Sequence, residues 1–292
     1  MRYTYFPGCS LESTSRGYDR SLRAVFRLLG HELEELEDWN CCGSTAYMSV
    51  AETMALAVCA RNLALAERQG EGRPLIAPCS ACYSVLSKTD RFLREQPELK
   101  ARVDEALAEA RLAYHGTVTI RHPLDVLVND VGLEAIAARA TRSLAGLKVA
   151  PYYGCQIVRP ERGFDDREAP VALDRLLGRL GATVVDYPMK VRCCGGMLMT
   201  TADAVGLELC YELLRCAAAA GAEVVATTCP LCHINLEAYQ GAINRRFGAK
   251  LRLPVAFFTQ LVGLALGAGE EELGLDRLLV PFAPALAEAA HV

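Results

Sequence analysis

Four landmarks occur twice in this chain, in the same order, and no other feature of it limits the possible folds so strongly. Tyr3-Thr4-Tyr5-Phe6 runs into Pro7-Gly8-Cys9, and Val149 to Tyr153 runs into Gly154-Cys155. Cys41-Cys42-Gly43 is matched by Cys193-Cys194-Gly195. "PLIAPCSAC", ending in Cys79 and Cys82, is matched by "EVVATTCPLC", ending in Cys229 and Cys232. "VTIRHPLDVL" is echoed by "LPVAFFTQLV". The three cysteine landmarks lie 146, 152 and 150 residues from their copies, so the copies differ by small insertions only. One match of this kind would mean little; four in order indicate a duplication.

The duplication carries a structural reading. The stretches before Cys9, Cys79, Cys155 and Cys229 are short, apolar and rich in β-branched or aromatic residues, the pattern of buried strands. "GHELEEL" (30–36) and "GATVVDY" (181–187) read as further strands, each behind a helix-ending glycine. Amphipathic helices are expected over 13–29, 45–69, 169–181 and 202–220, and a helical pattern opens at each Cys-x-x-Cys. Strand alternating with helix predicts the α/β class. The expectation is two pseudo-symmetric halves, each a small parallel sheet flanked by helices, with the cysteines beyond the carboxyl ends of the strands, where ligands gather in such sheets. The boundary is expected near 143–147, giving a first domain over 1–145 and a second over 146–292 that ends in a helical tail.

Composition narrows the function. The 292 residues are 52% hydrophobic and 23% charged, with a net charge of −4 and no basic run, which speaks against nucleic acid. The first ten residues lack the apolar core of a signal peptide, and no stretch of about 18 apolar residues spans a bilayer. A cytoplasmic protein is expected, associated with a membrane only through partners. Thirteen cysteines in a reducing compartment point to metal or redox chemistry rather than to a disulfide framework.

Each half supplies five of these cysteines in one pattern. Cys9 is followed after 31 residues by Cys41-Cys42, and after 36 more by Cys79 and Cys82. Cys155 is followed after 37 residues by Cys193-Cys194, and after 34 more by Cys229 and Cys232. Structural zinc takes four ligands, mostly as two paired hooks, and fits this count poorly. A lone thioredoxin-like Cys-x-x-Cys would leave three cysteines per half unused. Iron–sulfur clusters accept all-thiolate ligation, yet a cubane takes four cysteines. Either one thiol per half is free and reactive, or the cluster departs from the cube and one thiolate bridges two irons, the Cys-Cys pair being the natural place.

With both "CCG" blocks, "FPGC", "PCSAC", "CPLC" and "PVAFFTQLVGLALG" in view, the chain resembles the cysteine-rich CCG-domain proteins, and among them the B-type subunit of heterodisulfide reductase, over nearly its whole length. The resemblance implies two non-cubane [4Fe–4S] clusters. Cys9, Cys41, Cys42, Cys79 and Cys82 would bind one, and Cys155, Cys193, Cys194, Cys229 and Cys232 the other. It further implies that the clusters face one another across a cavity where a disulfide is cleaved, one sulfur going to each. Electrons would come from a small iron–sulfur subunit of the C type, fed by a flavin subunit of the A type; the chain carries no flavin or nucleotide fingerprint of its own. The alternatives are an electron relay linking a dehydrogenase to quinone or another acceptor, and a complex oxidising a protein-bound persulfide.

The catalytic candidates are the paired Cys41, Cys42, Cys193 and Cys194, with His233 next to Cys232 as a proton donor. Lys190 and Arg192 are candidate cations beside the second pair, and Arg159, Arg162 and Arg167 form a loop that would reach a cavity mouth. Cys59, Cys210 and Cys216 read as buried small hydrophobes outside the repeat, and His31, His115 and His122 as structural. His291 lies near the chain end, and the tail from Gly263 reads as a segment for contact with a partner.

Overall fold

Strands buried on both faces pair in parallel when helices cover them, and here they do so twice in the same order. The computed structural model describes residues 1–44, 46–161, 163–282 and 284, with the backbone of 287–288. The first half runs β1 (Arg2–Tyr5), α1 (Arg16–Leu28), β2 (Glu32–Glu35), α2 (Ala46–Val50), α3 (Glu52–Gly70), β3 (Leu75–Ile76), α4 (Ser80–Glu95), α5 (Pro97–Glu109), β4 (Ile120–Arg121), α6 (Pro123–Asp125), a π-helical stretch (Val126–Gly132) and α7 (Leu133–Ala137). After β5 (Arg142–Ser143) the second half runs β6 (Lys148–Tyr152), α8 (Ala172–Arg179), β7 (Thr183–Val184), α9 (Leu198–Thr201), α10 (Asp203–Ala219), β8 (Val224–Thr227), α11 (Pro230–Ala238), α12 (Gln240–Phe247), β9 (Val255–Phe257), α13 (Phe258–Ala265), α14 (Glu270–Leu273) and a 3-10 turn (Leu275–Arg277). A short β10 (Ala287–Glu288) pairs antiparallel with β5.

The sheet orders are β2-β1-β3-β4 and β7-β6-β8-β9, and every pair within them is parallel. Tyr5 sits opposite Ile76 and Tyr152 opposite Thr227, so the central strand of each sheet aims its carboxyl end the same way as its neighbour. The expected α/β architecture is therefore present, with the cysteine loops at those ends. One helical expectation is corrected. The helix read over 45–69 breaks at Ala51 (φ −146°, ψ 72°), and the matching break falls at Ala202 (φ −152°, ψ 63°). Each break lets a short helix fold back from the Cys-Cys-Gly loop onto a longer one. Gly206 permits this in the second half: a Cβ there would meet Met199 Sδ at 2.9 Å.

The halves meet along a seam built from the ends of β3 and β8. Ser80 Oγ lies 3.1 Å from both Thr228 O and Thr228 Oγ1, across the two halves. Tyr18, from α1 of the first half, is fully buried and stacks on Phe257 of the second, with centroids 4.3 Å apart and planes 8° apart. Its hydroxyl donates to Pro78 O (3.2 Å) and Thr228 O (3.3 Å). His122, also fully buried, donates from Nε2 to Pro78 O at 2.9 Å and accepts from Leu124 N–H at Nδ1, 3.1 Å. α13, buried along its whole length, packs on α1 of the first half. The tail expected to serve a partner thus contributes core at least as far as Leu275, and Glu237 on α11 accepts from the backbone N–H of Leu279. Among the described residues no helix is long and apolar enough to cross a membrane.

Two outcomes follow from the seam. Tyr18→Phe removes the donor shared by two buried carbonyls and lowers unfolding free energy by about 1 kcal/mol, while Tyr18→Ala, which opens a cavity, costs about 3–5 kcal/mol; urea unfolding of both variants reads this, and an unchanged midpoint for Tyr18→Ala would remove the seam from the stability argument. Burial holds the His122 imidazole down at about 4, against an ordinary 6.5. The unfolded chain then takes up the proton first, so this contribution is complete above pH 6.5 and is lost as pH falls towards 4. Protonation would also set an Nδ1–H against the Leu124 N–H. His122→Gln should flatten the fall in urea midpoint between about pH 6.5 and 5 relative to the parent protein, and parallel curves would count against the assignment.

Candidate functional site

Strand–helix junctions place the thiols. Cys79 and Cys229 are the N-cap residues of α4 and α11, three residues past the end of β3 and two past the end of β8. Cys82 and Cys232 then fall in the first helical turn, beside their partners. Cys9 and Cys155 follow the central strands β1 and β6 through Gly8 (φ +71°) and Gly154 (φ +66°). These glycines are needed twice over: the left-handed backbone favours glycine, and a Cβ would stand 3.2 Å from Cys82 Sγ or 3.1 Å from Cys232 Sγ. The Cys-Cys pairs lie on loops that turn at Gly43 (φ +73°) and Gly195 (φ +89°), the residue directly after each pair.

The ten repeated thiols form one unbroken series. Cys9 contacts Cys41, Cys41 contacts Cys42, and Cys42 Sγ lies 3.2 Å from Cys82 Sγ. Cys82 contacts Cys79, and Cys79 meets Cys229 across the seam. The order then reverses: Cys229 to Cys232, Cys232 to Cys194 (3.4 Å), Cys194 to Cys193, Cys193 to Cys155. The six inner members, Cys42, Cys79, Cys82, Cys194, Cys229 and Cys232, are buried; Cys9, Cys41 and Cys193 are exposed and Cys155 half-buried. The series begins and ends at the surface and passes through the core.

Hydrogen bonding sets its charge. Thiol donors from Cys42 and Cys9, with the Gly43 N–H, hold Cys41 well below an ordinary thiol. Cys155, Cys194 and the Gly195 N–H do the same for Cys193. At the seam, donors from Cys232, Cys79 and the first-turn N–H groups of α11 hold Cys229 down, and its partner Cys79 is pushed up. Among the described residues no three His, Cys, Asp or Glu side chains are grouped as ligands of a single metal ion. Five sulfurs per half strung in series do not suit tetrahedral zinc. An all-thiolate donor set with backbone N–H groups aimed at the sulfurs does suit an iron–sulfur cluster.

The other candidates fall in varied places. His233 stacks on Phe257 (4.2 Å, 11°), and its Nε2 lies 3.5 Å from Glu237 Oε2. Burial keeps its imidazole near 4 and therefore neutral, and its ring lies by the Val255 backbone, with Nε2 lacking a hydrogen-bond partner among the described residues. Lys190 is tied to Asp174 (3.1 Å) and Pro170 O (2.7 Å), so its charge is already matched, whereas Arg192 is exposed beside Cys193. Arg159 lines a cleft of about 810 Å³ between α4 and the loop after Cys155, where Glu161 pairs with Arg91 at 2.7 Å. Arg167 donates to Pro160 O in that loop. Arg162 and His291 lie outside the described residues. His31 meets the N-terminus and His115 meets Glu67.

Sequence reasoning missed several residues. Cys59 and Cys210 are not outside the repeat: they occupy matching points on α3 and α10, both fully buried, each on the helix behind a Cys-Cys loop. Cys210 Sγ donates to Cys194 O at 3.2 Å. Asn62 and Asn235 hold the same loops. Asn62 exchanges two 2.9 Å bonds with the backbone of Asn40, and Asn235 Nδ2 reaches Cys194 O and Gly196 O. The offset of 151 residues between Cys59 and Cys210 was the available signal for the first pair. Asn62 and Asn235 have no counterpart in the other half, so the repeat could not reveal them.

Comparison with known proteins agrees with this geometry. A family model described as "CCG: Cysteine-rich domain" matches residues 3–87 and 149–237, the two stretches that carry the ten thiols. The B-type subunit of the ferredoxin/F(420)H(2)-dependent CoB-CoM heterodisulfide reductase of Methanosarcina acetivorans is 33% identical, covering 94% of this chain and 93% of that protein. The "8-methylmenaquinol:fumarate reductase membrane anchor subunit" of Wolinella succinogenes is 34% identical, covering 95% and 96%. A protein of Archaeoglobus profundus, described as like the heterodisulfide reductase B-type subunit, is 30% identical, covering 94% of this chain and 93% of that protein. The solved structure of a hypothetical protein from Helicobacter pylori shares the fold with a TM-score of 0.80 at 16% identity; it covers 97% of this chain, which spans about half of that protein. The chain belongs to the family of heterodisulfide reductase B-type subunits, within the cysteine-rich CCG-domain proteins.

Proposed function

We propose that this protein is the catalytic iron–sulfur subunit of a heterodisulfide reductase-like complex. The observation that carries the reading is the series of ten thiols, symmetric about the Cys79–Cys229 contact. Cys9, Cys41, Cys42, Cys79 and Cys82 would hold one non-cubane [4Fe–4S] cluster and Cys155, Cys193, Cys194, Cys229 and Cys232 the other. Each bound cluster would supply one electron. The overall change is RSSR′ + 2 e⁻ + 2 H⁺ → RSH + R′SH, or its reverse, with electrons from an iron–sulfur subunit and a flavin subunit. The chain's own part is to present five sulfurs in each half, to aim the Gly43 and Gly195 N–H groups at Cys41 and Cys193, and to keep water from the inner six sulfurs. The exposed thiols and Arg192 leave both ends open to substrate or partner.

A second reading has its own support. The Wolinella relative is named as a membrane anchor subunit of a methylmenaquinol:fumarate reductase, which favours an electron relay between a donor complex and a quinone. Adding thiols or disulfides to the oxidised protein separates the two: a changed EPR spectrum supports the disulfide chemistry, and a spectrum indifferent to every thiol tried supports the relay.

We assign His233 to packing rather than proton donation, because its ring faces Phe257 and Glu237. His233→Gln should keep turnover within about threefold of the parent at unchanged iron content, while a loss of about 10²-fold or more would restore the imidazole as the acid. Anaerobically purified protein should contain about eight irons per chain. Cys41→Ala or Cys193→Ala should each bring this to about four, because each disrupts one five-thiol set and leaves the other. A colourless chain holding zinc alone would end the proposal.

A further inference from the structure

Two matched sets of ligands need not behave alike, and here one buried side chain breaks their equivalence. The backbone donors repeat: Gly43 and Ser44 serve Cys41 and Cys42 as Gly195 and Gly196 serve Cys193 and Cys194. Asn235 has no such twin. It lies on α11, three residues after Cys232, and is only 2% exposed. Its Nδ2 stands 2.9 Å from Gly196 O, 3.2 Å from Cys194 O and 3.6 Å from Cys194 Sγ. All three neighbours are acceptors, so they fix which end of the amide faces the loop.

The first half puts Val85 in that place, three residues after Cys82, buried and with no polar atom in its side chain. Its Cys-Cys loop is held instead by Asn62, which bonds the N–H and carbonyl of Asn40, and neither bond reaches a sulfur. Ser10 serves Cys9 as Gln156 serves Cys155, so those side-chain donors are matched; at Cys194 the second half adds a buried donor where the first half carries a valine.

A hydrogen bond to a ligand sulfur favours the more negative, reduced form of an iron–sulfur centre and raises its potential. We propose that Asn235 makes the two five-cysteine sites electrochemically unequal, holding the site built on Cys155, Cys193, Cys194, Cys229 and Cys232 at the higher potential. This rests on the reading that each set holds a cluster. The consequence is an order of filling: the first electron to arrive settles in the second half, and the first half is the stronger reductant. Asn235 is a positioning residue, acting through Cys194 rather than on substrate.

The test is an EPR-monitored redox titration of the full-length chain, purified without oxygen, with iron and sulfide measured on each sample. The parent protein should show two resolved midpoints. Asn235→Val, which installs the residue the first half already uses, should lower the upper midpoint and leave the lower one in place. Val85→Asn should raise the lower midpoint towards the upper, and it carries the test if Asn235→Val fails to retain its second cluster. A parent chain with its full iron but a single shared midpoint overturns the proposal and leaves the cluster assignment standing. A parent chain without iron overturns both. Iron-replete Asn235→Val with both midpoints unmoved, or iron-replete Val85→Asn with the lower one unmoved, also overturns it.

Discussion

The contact between the carboxyl ends of β3 and β8 is what the rest of the molecule depends on. Parallel strands deliver Pro78 and Thr228 to the same place from opposite halves, and Ser80 bonds Thr228 across the join. Tyr18 closes that join from below with one hydroxyl shared by two carbonyls and a ring stacked on Phe257. The residues that make it, Tyr18, Ser80, His122 and Thr228, are all buried. Buried polar groups are costly unless satisfied, so this network holds the halves in one register. Cys79 and Cys229 each directly follow a residue of it, which is why the two thiol sets meet.

From that contact the accessibility of the sulfurs follows. The Cys-x-x-Cys thiols sit on helix N-termini pressed against the seam and are shielded by both halves. The Cys-Cys loops swing outward because each turns at a left-handed glycine, so the first cysteine of each pair reaches the surface and the second stays inside. A half on its own would present its Cys-x-x-Cys to solvent at the face where the other half now lies. Packing the halves together seals the inner sulfurs and leaves two outward ends.

Much of this is legible in the sequence for a simple reason: cysteines and glycines announce themselves, and the strands before them are short and apolar. The parallel order of both sheets can be inferred from alternation alone. The seam cannot. Ser80 and Thr228 are small polar residues 148 positions apart, Tyr18 lies in an ordinary amphipathic pattern, and no local rule pairs them. The helix over 45–69 reads as continuous because Ala51 has excellent helix propensity; the Cys-Cys-Gly loop entering at an angle overrides it. The tail from Gly263 reads as short helical pieces for contact with a partner through its Gly and Pro residues, yet the last turn of α13, Leu273 and Leu275 within it are core. His233 reads as catalytic by adjacency in sequence, and a helix turns adjacent side chains about 100° apart, here towards Phe257.

Duplication also explains where the halves are free to differ. If every repeated cysteine serves a cluster, none can change without cost, so divergence must fall on residues that touch the cysteines without being ligands. The differences in the structure lie on such residues and on those that brace the loops and strand ends next to the cysteines. His122 and Phe257 hold the same N-cap position on α6 and α13; one donates to Pro78 O, and the other stacks on Tyr18. Val85 and Asn235 hold the same place after a Cys-x-x-Cys; one is apolar, and the other donates to Cys194. Asn62 braces the first Cys-Cys loop through Asn40, a task that Asn235 performs for the second from a different helix. A two-electron reaction carried by two one-electron sites requires two similar cages, and a defined order of filling requires that they be unequal. Conserving the ten sulfurs while varying their hydrogen-bonding neighbours satisfies both conditions within one fold.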